Sequence, residues 1–506
     1  MGKRTILAIL LSWVVLLGWS LLAPKTQPLV NKDVSKEQAT LSVAQSPDVK
    51  SKTEQITINA PESALFKYAQ PKYEIHFLEK QAAAQTVIFK DYQSSAFNLK
   101  YAFLLGDGSL KFRMDKHGEN KLNFIYSDQD KRILKEFTFD KSNYTIELRI
   151  IFKNYTTHDL SLNLPFVLGA FEPTPARANY QGITIAKDDK ILHLGLSKSN
   201  KFSAVKFCAL RDRYFCVIAQ PESSDTEVFI NKVTPKLTEV GFIFDIPKIP
   251  AQGEIEKKIR LYLGPQDLTM INKADPKWTA IINYGSFDFI SRLILQSLEA
   301  LYKLVHNWGL VIIILSVAIY LLLYPLTLKQ MRSVRAMQAL QPKIEELRKT
   351  YKDNPQKLNK EILELYKINK VNPMGGCLPL LLQIPIFLAL YQVLTRSIAL
   401  KGAHFLWIKD LSEPDRFFIL PNSIPILGSE INILPVIVAI LMFLQQKITM
   451  VNSSATSAEQ QKMMVILMPV IFGALFYRIS SGLVLYWLIN SLLMLIYQWK
   501  ASRTNG

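Results

Sequence analysis

Six long stretches without a charged side chain, residues 5–24, 310–328, 371–395, 431–446, 463–477 and 479–499, constrain this chain more than any other feature. About 20 apolar residues cross the hydrocarbon of a bilayer, where a backbone must satisfy its own polar groups. Each stretch therefore reads as a membrane-spanning helix. Buried helices of a large soluble protein are the alternative, and they fit poorly, because a chain that is 49% hydrophobic and 20% charged here keeps its apolar residues in blocks. Lys3 and Arg4 precede the first stretch, a start common to cleaved signal peptides and retained anchors. Pro24 directly after Leu21-Leu22-Ala23 suits signal peptidase poorly, and no cysteine stands there to carry a lipid, so residues 1–24 read as an uncleaved transmembrane anchor.

Basic residues in the short loops set the orientation. Residues 329–370 hold 11 Lys and Arg against 5 Asp and Glu, whereas residues 396–430 hold 4 of each. An excess of Lys and Arg marks the cytoplasmic side, so the first of these loops is cytoplasmic. Counting crossings from there places both termini in the cytoplasm, including the short tail 500–506, and residues 25–308 outside. The net charge of +18 then reflects topology and anionic headgroups rather than DNA.

Residues 25–55, rich in Ser, Thr, Lys, Gln and Val without an apolar period, read as a flexible linker. From 56 to 285 the pattern turns to short alternating runs between turn residues, such as Phe137-Thr138-Phe139, Thr145-Ile146-Glu147-Leu148-Arg149-Ile150 and Ile259-Arg260-Leu261-Tyr262-Leu263. Repeated short strands with one apolar face predict an antiparallel β-sandwich. Cys208 and Cys216 flank Arg211-Asp212-Arg213 in a hairpin on the oxidising side; a disulfide and two ordinary buried thiols are both open. Cys377, at the cytoplasmic membrane edge, is expected reduced.

Residues 286–308 place Phe287, Ile290, Ile294, Leu298, Leu301 and Val305 on one stripe, with Asp288, Arg292, Gln296, Glu299 and Lys303 elsewhere. Such a helix suits the outer headgroup layer, or packing beneath the sandwich, and the two are compatible. Residues 309–499 then form the helical core. Within it, residues 329–370 predict a cytoplasmic helical hairpin, with Leu340, Ile344, Leu347 and Tyr351 on one stripe and Leu358, Ile362 and Leu365 on another. The break falls at Lys352-Asp353-Asn354-Pro355, with Asn354 as cap and Pro355 in the first turn. Lys343, Arg348, Lys349, Lys352 and Lys357 make its outward face basic; it is either a solvated face or a contact for ribosomal RNA or anionic lipid.

Val371-Asn372-Pro373-Met374-Gly375-Gly376-Cys377-Leu378-Pro379, running into Gln383-Ile384-Pro385-Ile386-Phe387, closely resembles the YidC insertases. Tyr324-Pro325-Leu326-Thr327, Leu340-Gln341-Pro342-Lys343-Ile344, Met468-Pro469-Val470-Ile471-Phe472 and Ser481-Gly482-Leu483-Val484-Leu485-Tyr486-Trp487 follow in the family's order. The resemblance implies a multi-domain membrane protein of six transmembrane helices, an anchor plus a five-helix core around a polar groove. It further implies partners rather than cofactors: nascent membrane proteins, the translating ribosome, the Sec translocon and membrane lipids. No chemical reaction is needed, because a wet groove shortens the dry path of a hydrophilic segment, which otherwise costs several kcal/mol per unpaired polar group. Accordingly no enzyme activity, cofactor or small-molecule substrate is expected.

Polar and aromatic residues inside the spans are the groove candidates: Ser316, Tyr320, Tyr324, Gln383, Gln392, Tyr486, Trp487 and Asn490. Helix–helix contacts or an interfacial belt are the plainer explanation for such residues. Pro373, Gly375, Gly376 and Pro379 break the helix before the third span; Pro385 and Pro469 free backbone carbonyls within spans and permit bending. The fourth and fifth spans have only 16 and 15 uncharged residues, which at about 1.5 Å per residue fits a thinned bilayer. Aligning Tyr324-Pro325 with the family puts Tyr320 where Gram-negative relatives carry an intramembrane arginine. Clients of this chain are therefore expected to depend little on acidic residues. A transporter would need carboxylates or His inside the spans, and they contain none. A sensor with an outer binding domain would need a cytoplasmic output module, and only the hairpin and short tails are there.

Overall fold

The computed structural model describes residues 64–503, except 173–179, 197, 224–225, 353, 372–377, 425–427 and 451–457. The anchor at 1–24, the linker at 25–55, Pro373, Gly375, Gly376 and Cys377 lie outside the described residues.

Between Leu65 and Pro265 the chain forms three sheets of four, five and nine strands, every pairing antiparallel. Alternation explains them. In Lys131–Phe139, Ile133, Lys135, Phe137 and Phe139 point inward, and the same strand pairs Phe137 with Leu148 of Thr145–Asn154. The four-stranded sheet stacks on the nine-stranded one through aromatic rings. Phe77 lies 5.6 Å from both Phe124 and Phe137, and Phe89 stacks on Phe215 at 4.2 Å. Each fully buried ring contributes roughly 1.5–3 kcal/mol, so this seam holds the layers together. The five-stranded sheet continues the same layer, with Phe97 packed edge-on against Phe171 at 5.8 Å.

Cys208 and Cys216 form no disulfide: both are free and buried. They do lie on paired strands, but the register sets Cys208 opposite Ala219 and Cys216 opposite Arg211, so neither faces the other. Burial pushes both thiols well above the ordinary cysteine range.

Nine helices are described after the strands: α1 Leu268–Ala274, α2 Asp288–Val305, α3 Trp308–Ala339, α4 Gln341–Thr350, α5 Pro355–Ile368, α6 Leu378–Arg396, α7 Leu434–Met450, α8 Ala458–Phe476 and α9 Ser481–Arg503. A short hairpin, Phe418–Ile424 with Gly428–Ile431, separates α6 from α7. Helix α2 buries Ile294, Leu295 and Leu298 against the core, and Ser291 Oγ donates to the Ala389 carbonyl of α6 at 3.5 Å. Its opposite side is also apolar, with Phe289, Leu293 and Leu304 largely exposed. Helix α3 does not stop at Leu328; its 32 residues, about 48 Å at 1.5 Å each, run past the hydrocarbon to Ala339. Charges at Lys329, Arg332 and Arg335 end the apolar stretch without ending the helix. The hairpin thus starts later than residue 329, with α4 and α5. Asn354 Oδ1 caps α5 by accepting from the Lys357 N–H at 3.1 Å, and Pro355 takes the first position.

Among the described residues two helices are long and apolar enough to cross a membrane, over Trp308–Met337 and Ser481–Lys500. Leu434–Ile448 and Val465–Phe476 are shorter apolar helices. A count of six is not reached by that measure.

Arg213 ties the sandwich to the helices. Its Nε donates to the Thr395 carbonyl at 2.8 Å, Nη1 to Glu413 Oε1 at 2.8 Å and Nη2 to the Ser412 carbonyl at 2.7 Å. Close packing continues at Gly309, where a Cβ would overlap the Phe405 ring.

Candidate functional site

Helix α9 carries three of the eight polar or aromatic residues expected within the spans, and two of them, Tyr486 and Asn490, fall along one side. Tyr486 and Asn490 are four residues apart, and Asn490 Nδ2 donates back to the Tyr486 carbonyl at 2.9 Å. Across the bundle, Gln383 Nε2 of α6 donates to the Tyr486 hydroxyl at 2.6 Å. Two turns beyond Asn490, Tyr497 meets Tyr324 of α3 edge-on at 5.9 Å, and Tyr324 lies 6.1 Å from Tyr320. Two clusters result, Gln383–Tyr486–Asn490 between α6 and α9 and Tyr320–Tyr324–Tyr497 between α3 and α9.

The remaining candidates separate. Ser316 is fully buried and its Oγ donates to the Ile312 carbonyl of its own helix at 2.6 Å, so the hydroxyl is satisfied locally. Trp487, the neighbour of Tyr486 on α9, packs into a cluster with Phe387, Phe472 and Phe476 at 5.4, 5.7 and 5.1 Å. It packs helices together. Gln392 Oε1 and the Tyr320 hydroxyl are buried atoms that find no protein partner. A polar atom left so inside a bundle calls for water.

Pro385 and Pro469 both sit inside continuous helices, α6 and α8, and Pro379 lies in the first turn of α6. Lys343, Arg348, Lys349, Lys352 and Lys357 are all exposed on α4, α5 and their connection. Lys357 Nζ sits 4.9 Å above the Tyr351 ring, which holds that lysine on the hairpin's own surface.

Sequence reasoning missed Tyr497 and the Gln445–Ser491 contact, in which Gln445 Nε2 donates to the Ser491 carbonyl and joins α7 to α9. The signal existed: Tyr497 is seven residues after Asn490, two helical turns along the same face.

Comparison with known proteins places the chain. The family model described as the YidC periplasmic domain matches residues 49–297, and that described as the 60Kd inner membrane protein matches residues 300–505. A membrane protein insertase YidC of Syntrophobacter fumaroxidans is 34% identical over 385 residues, covering 74% of this chain and 68% of that protein. The one of Lawsonia intracellularis is 31% identical over 551 aligned positions, covering 98% of both chains. A solved structure described as an active YidC insertase with the first transmembrane domain resolved matches at 20% identity with a TM-score of 0.42, over 86% of this chain and 92% of that one. Two family models that between them span nearly the whole chain, and a relative aligned end to end, lead to one conclusion: the chain belongs to the YidC family of membrane protein insertases.

Proposed function

We propose that this chain inserts and folds integral proteins of the inner membrane by offering their hydrophilic segments a polar, water-accessible groove partway through the bilayer. The unpartnered Tyr320 hydroxyl and Gln392 Oε1, together with the half-buried Tyr324, Gln383 and Asn490 on α3, α6 and α9, carry this reading. Polar atoms without protein partners inside an apolar bundle are what a hydrated path needs, and a dry bundle would not tolerate them. Ser316 and Trp487 take packing roles in this scheme, and Tyr486 orients Gln383.

Six spans complete the architecture: an anchor at 1–24, then five in the core at 309–499. A linker at 25–55, the sandwich at 56–285 and the interfacial helix at 286–308 lie on the periplasmic side, with both termini and the α4–α5 hairpin in the cytoplasm. The basic loop at 329–370 supports that orientation. Nascent membrane proteins are the clients. The Sec translocon, the ribosome at the exposed lysines of the hairpin, and membrane lipids are the partners that resemblance and charge favour. Depletion of the protein, followed by protease accessibility of small inner-membrane proteins with short periplasmic tails, tests the reading. Tails should become protected from periplasmic protease; unchanged client topology would overturn it.

A further inference from the structure

The segment that joins α6 to α7 carries a group of large apolar side chains that are mostly uncovered. Leu406 is 76% exposed, Phe418 60% and Ile419 70%, and Trp407 and Phe417 beside them are more than a third exposed. The rings touch: Phe417 meets Trp407 edge-on at 6.4 Å and Phe418 edge-on at 4.8 Å. Phe418 and Ile419 are consecutive in the strand Phe418–Ile424, so they point to opposite faces. That strand and Gly428–Ile431 make a sheet of two. Both faces of the hairpin are therefore apolar and open, and a two-stranded hairpin without a core beneath it is at best marginally stable in water. It is nonetheless firmly held. The Asp415 carboxylate accepts from the N–H groups of Ile433 and Leu434 at 2.9 and 3.0 Å, fixing the segment to the start of α7. The Tyr477 hydroxyl, just past α8, donates to the Glu430 carbonyl at 2.8 Å. Arg416, next to Phe417, is paired with Glu430 at 2.9 Å, so the apolar tip does not carry that charge bare.

We infer that this hairpin, with Leu406 and Trp407, is seated in the outer leaflet, its side chains among the upper acyl carbons and its backbone at headgroup depth. The inference rests on the reading of α6 and α7 as membrane spans. Helix α7 has 17 residues, about 25 Å, against roughly 30 Å of hydrocarbon. The chain next to its outer end therefore lies level with the lipid tails or at their boundary. The backbone stays at that boundary because an open strand edge is not tolerated in hydrocarbon, and Pro421 removes one donor from the edge. Aromatic rings favour the same depth. Lipid fits better than a protein partner, since the tip runs on along the chain into α7, where Val436 and Ile440 are exposed as well. One apolar environment then covers tip and helix alike. Because Arg213 holds the Ser412 carbonyl and Glu413 of this same segment, the seat also sets the depth of the sandwich above the bilayer.

The test places the photoreactive residue p-benzoylphenylalanine at Phe418, Ile419, Ile440 or Asp130, one position at a time, in the full-length protein. Native inner membranes are irradiated, and adducts of the purified protein are read by intact mass. Ile440 is the reference for lipid contact on α7. Asp130 is the reference for water: it is exposed before Lys131, at the end of the strands Lys131–Phe139 and Thr145–Asn154 that lies away from Arg213. Phospholipid adducts at Phe418 and Ile419 should match those at Ile440 and exceed those at Asp130 several-fold. Adducts no more frequent than at Asp130, alongside strong ones at Ile440, overturn the inference and leave the spanning helices standing. Predominant adducts of polypeptide mass assign the tip to a second copy or another protein, and overturn it equally. Background at Ile440 overturns the spanning reading and the inference with it. Should the protein altered at Phe418 fold poorly, Ile419 and Leu406 decide.

Discussion

Gln383 and Tyr486 hold α6 and α9 together through one hydrogen bond, 2.6 Å from amide nitrogen to phenol oxygen, with Tyr486 only 1% exposed. Removing one partner strands the other, whereas removing both leaves an apolar contact. Tyr486→Phe alone should cost about 1–2 kcal/mol, read as a lower thermal midpoint of the purified protein. The pair Gln383→Leu with Tyr486→Phe should recover most of that loss. If Gln383 also serves the hydrated path, insertion of a client with a hydrophilic tail will still fall several-fold in the double variant. Parent-level insertion by the double variant would leave this bond a helix tie and nothing more.

Arg213 makes three hydrogen bonds from the sandwich to the segments around α6, and its ion pair with Glu413 is about one-fifth to one-quarter exposed. Arg213→Ala removes all three and leaves Glu413 without that partner. A cost of about 1–3 kcal/mol is expected, centred on the junction rather than on either part. Limited proteolysis should show it first, as faster cleavage between Pro265 and Asp288 at unchanged far-ultraviolet circular dichroism. Arg213→Lys should rescue little, because a lysine cannot span three acceptors in a plane. Unaltered proteolysis in the alanine variant would show that the sandwich is held elsewhere.

Local patterns were legible, and long-range partnerships were not. The alternation in Lys131–Phe139 and the Asn354–Pro355 helix start depend on residues a few positions apart, and both kinds of signal sit in the sequence itself. The end of α3 was misplaced because charge marks where lipid stops, while a helix continues as long as its backbone bonds do. The cysteines illustrate a register limit: a spacing of eight suits a hairpin, yet a three-residue offset in pairing separates the thiols. Arg213 reaches Thr395 and Glu413 across about two hundred positions, and no local pattern announces such a contact. In the candidate groove, residue types were readable, but which side of α9 each occupies needed the packing of Trp487 against Phe472.

Lys135 occupies an inward position of its strand, fully buried, donating to the carbonyls of Ala82 and Phe103 at 2.5 Å each. Burial without an anion brings its pKa down to about 7. In the unfolded chain the amine titrates near 10.4. Between those values the unfolded state binds the extra proton, so stability rises with pH from about 7 toward 10 and is lowest, on a plateau, below 7. Denaturant unfolding of the full chain between pH 6 and about 9.5 should show that rise, and Lys135→Met should flatten it. A slope that survives in Lys135→Met would assign the pH dependence to other groups.

Tyr320 carries no charge, and its hydroxyl lacks a partner while its ring sits 6.1 Å from Tyr324. An uncharged groove can hydrate a passing segment but cannot pull on a carboxylate. Neutralising the acidic residues of a client tail should therefore change insertion by less than about twofold, since only solvation differences remain. Tyr320→Arg puts a cation at mid-span for roughly 2.5–3.5 kcal/mol, less if water reaches it. That variant should gain a preference for acidic tails of several-fold, measured as the ratio between acidic and neutral versions of one client. The two versions compete under identical conditions, so a general loss of activity cancels in the ratio. If the unaltered protein already fails on neutralised or charge-reversed tails, attraction arises from another cation, and Tyr320 does not set client choice.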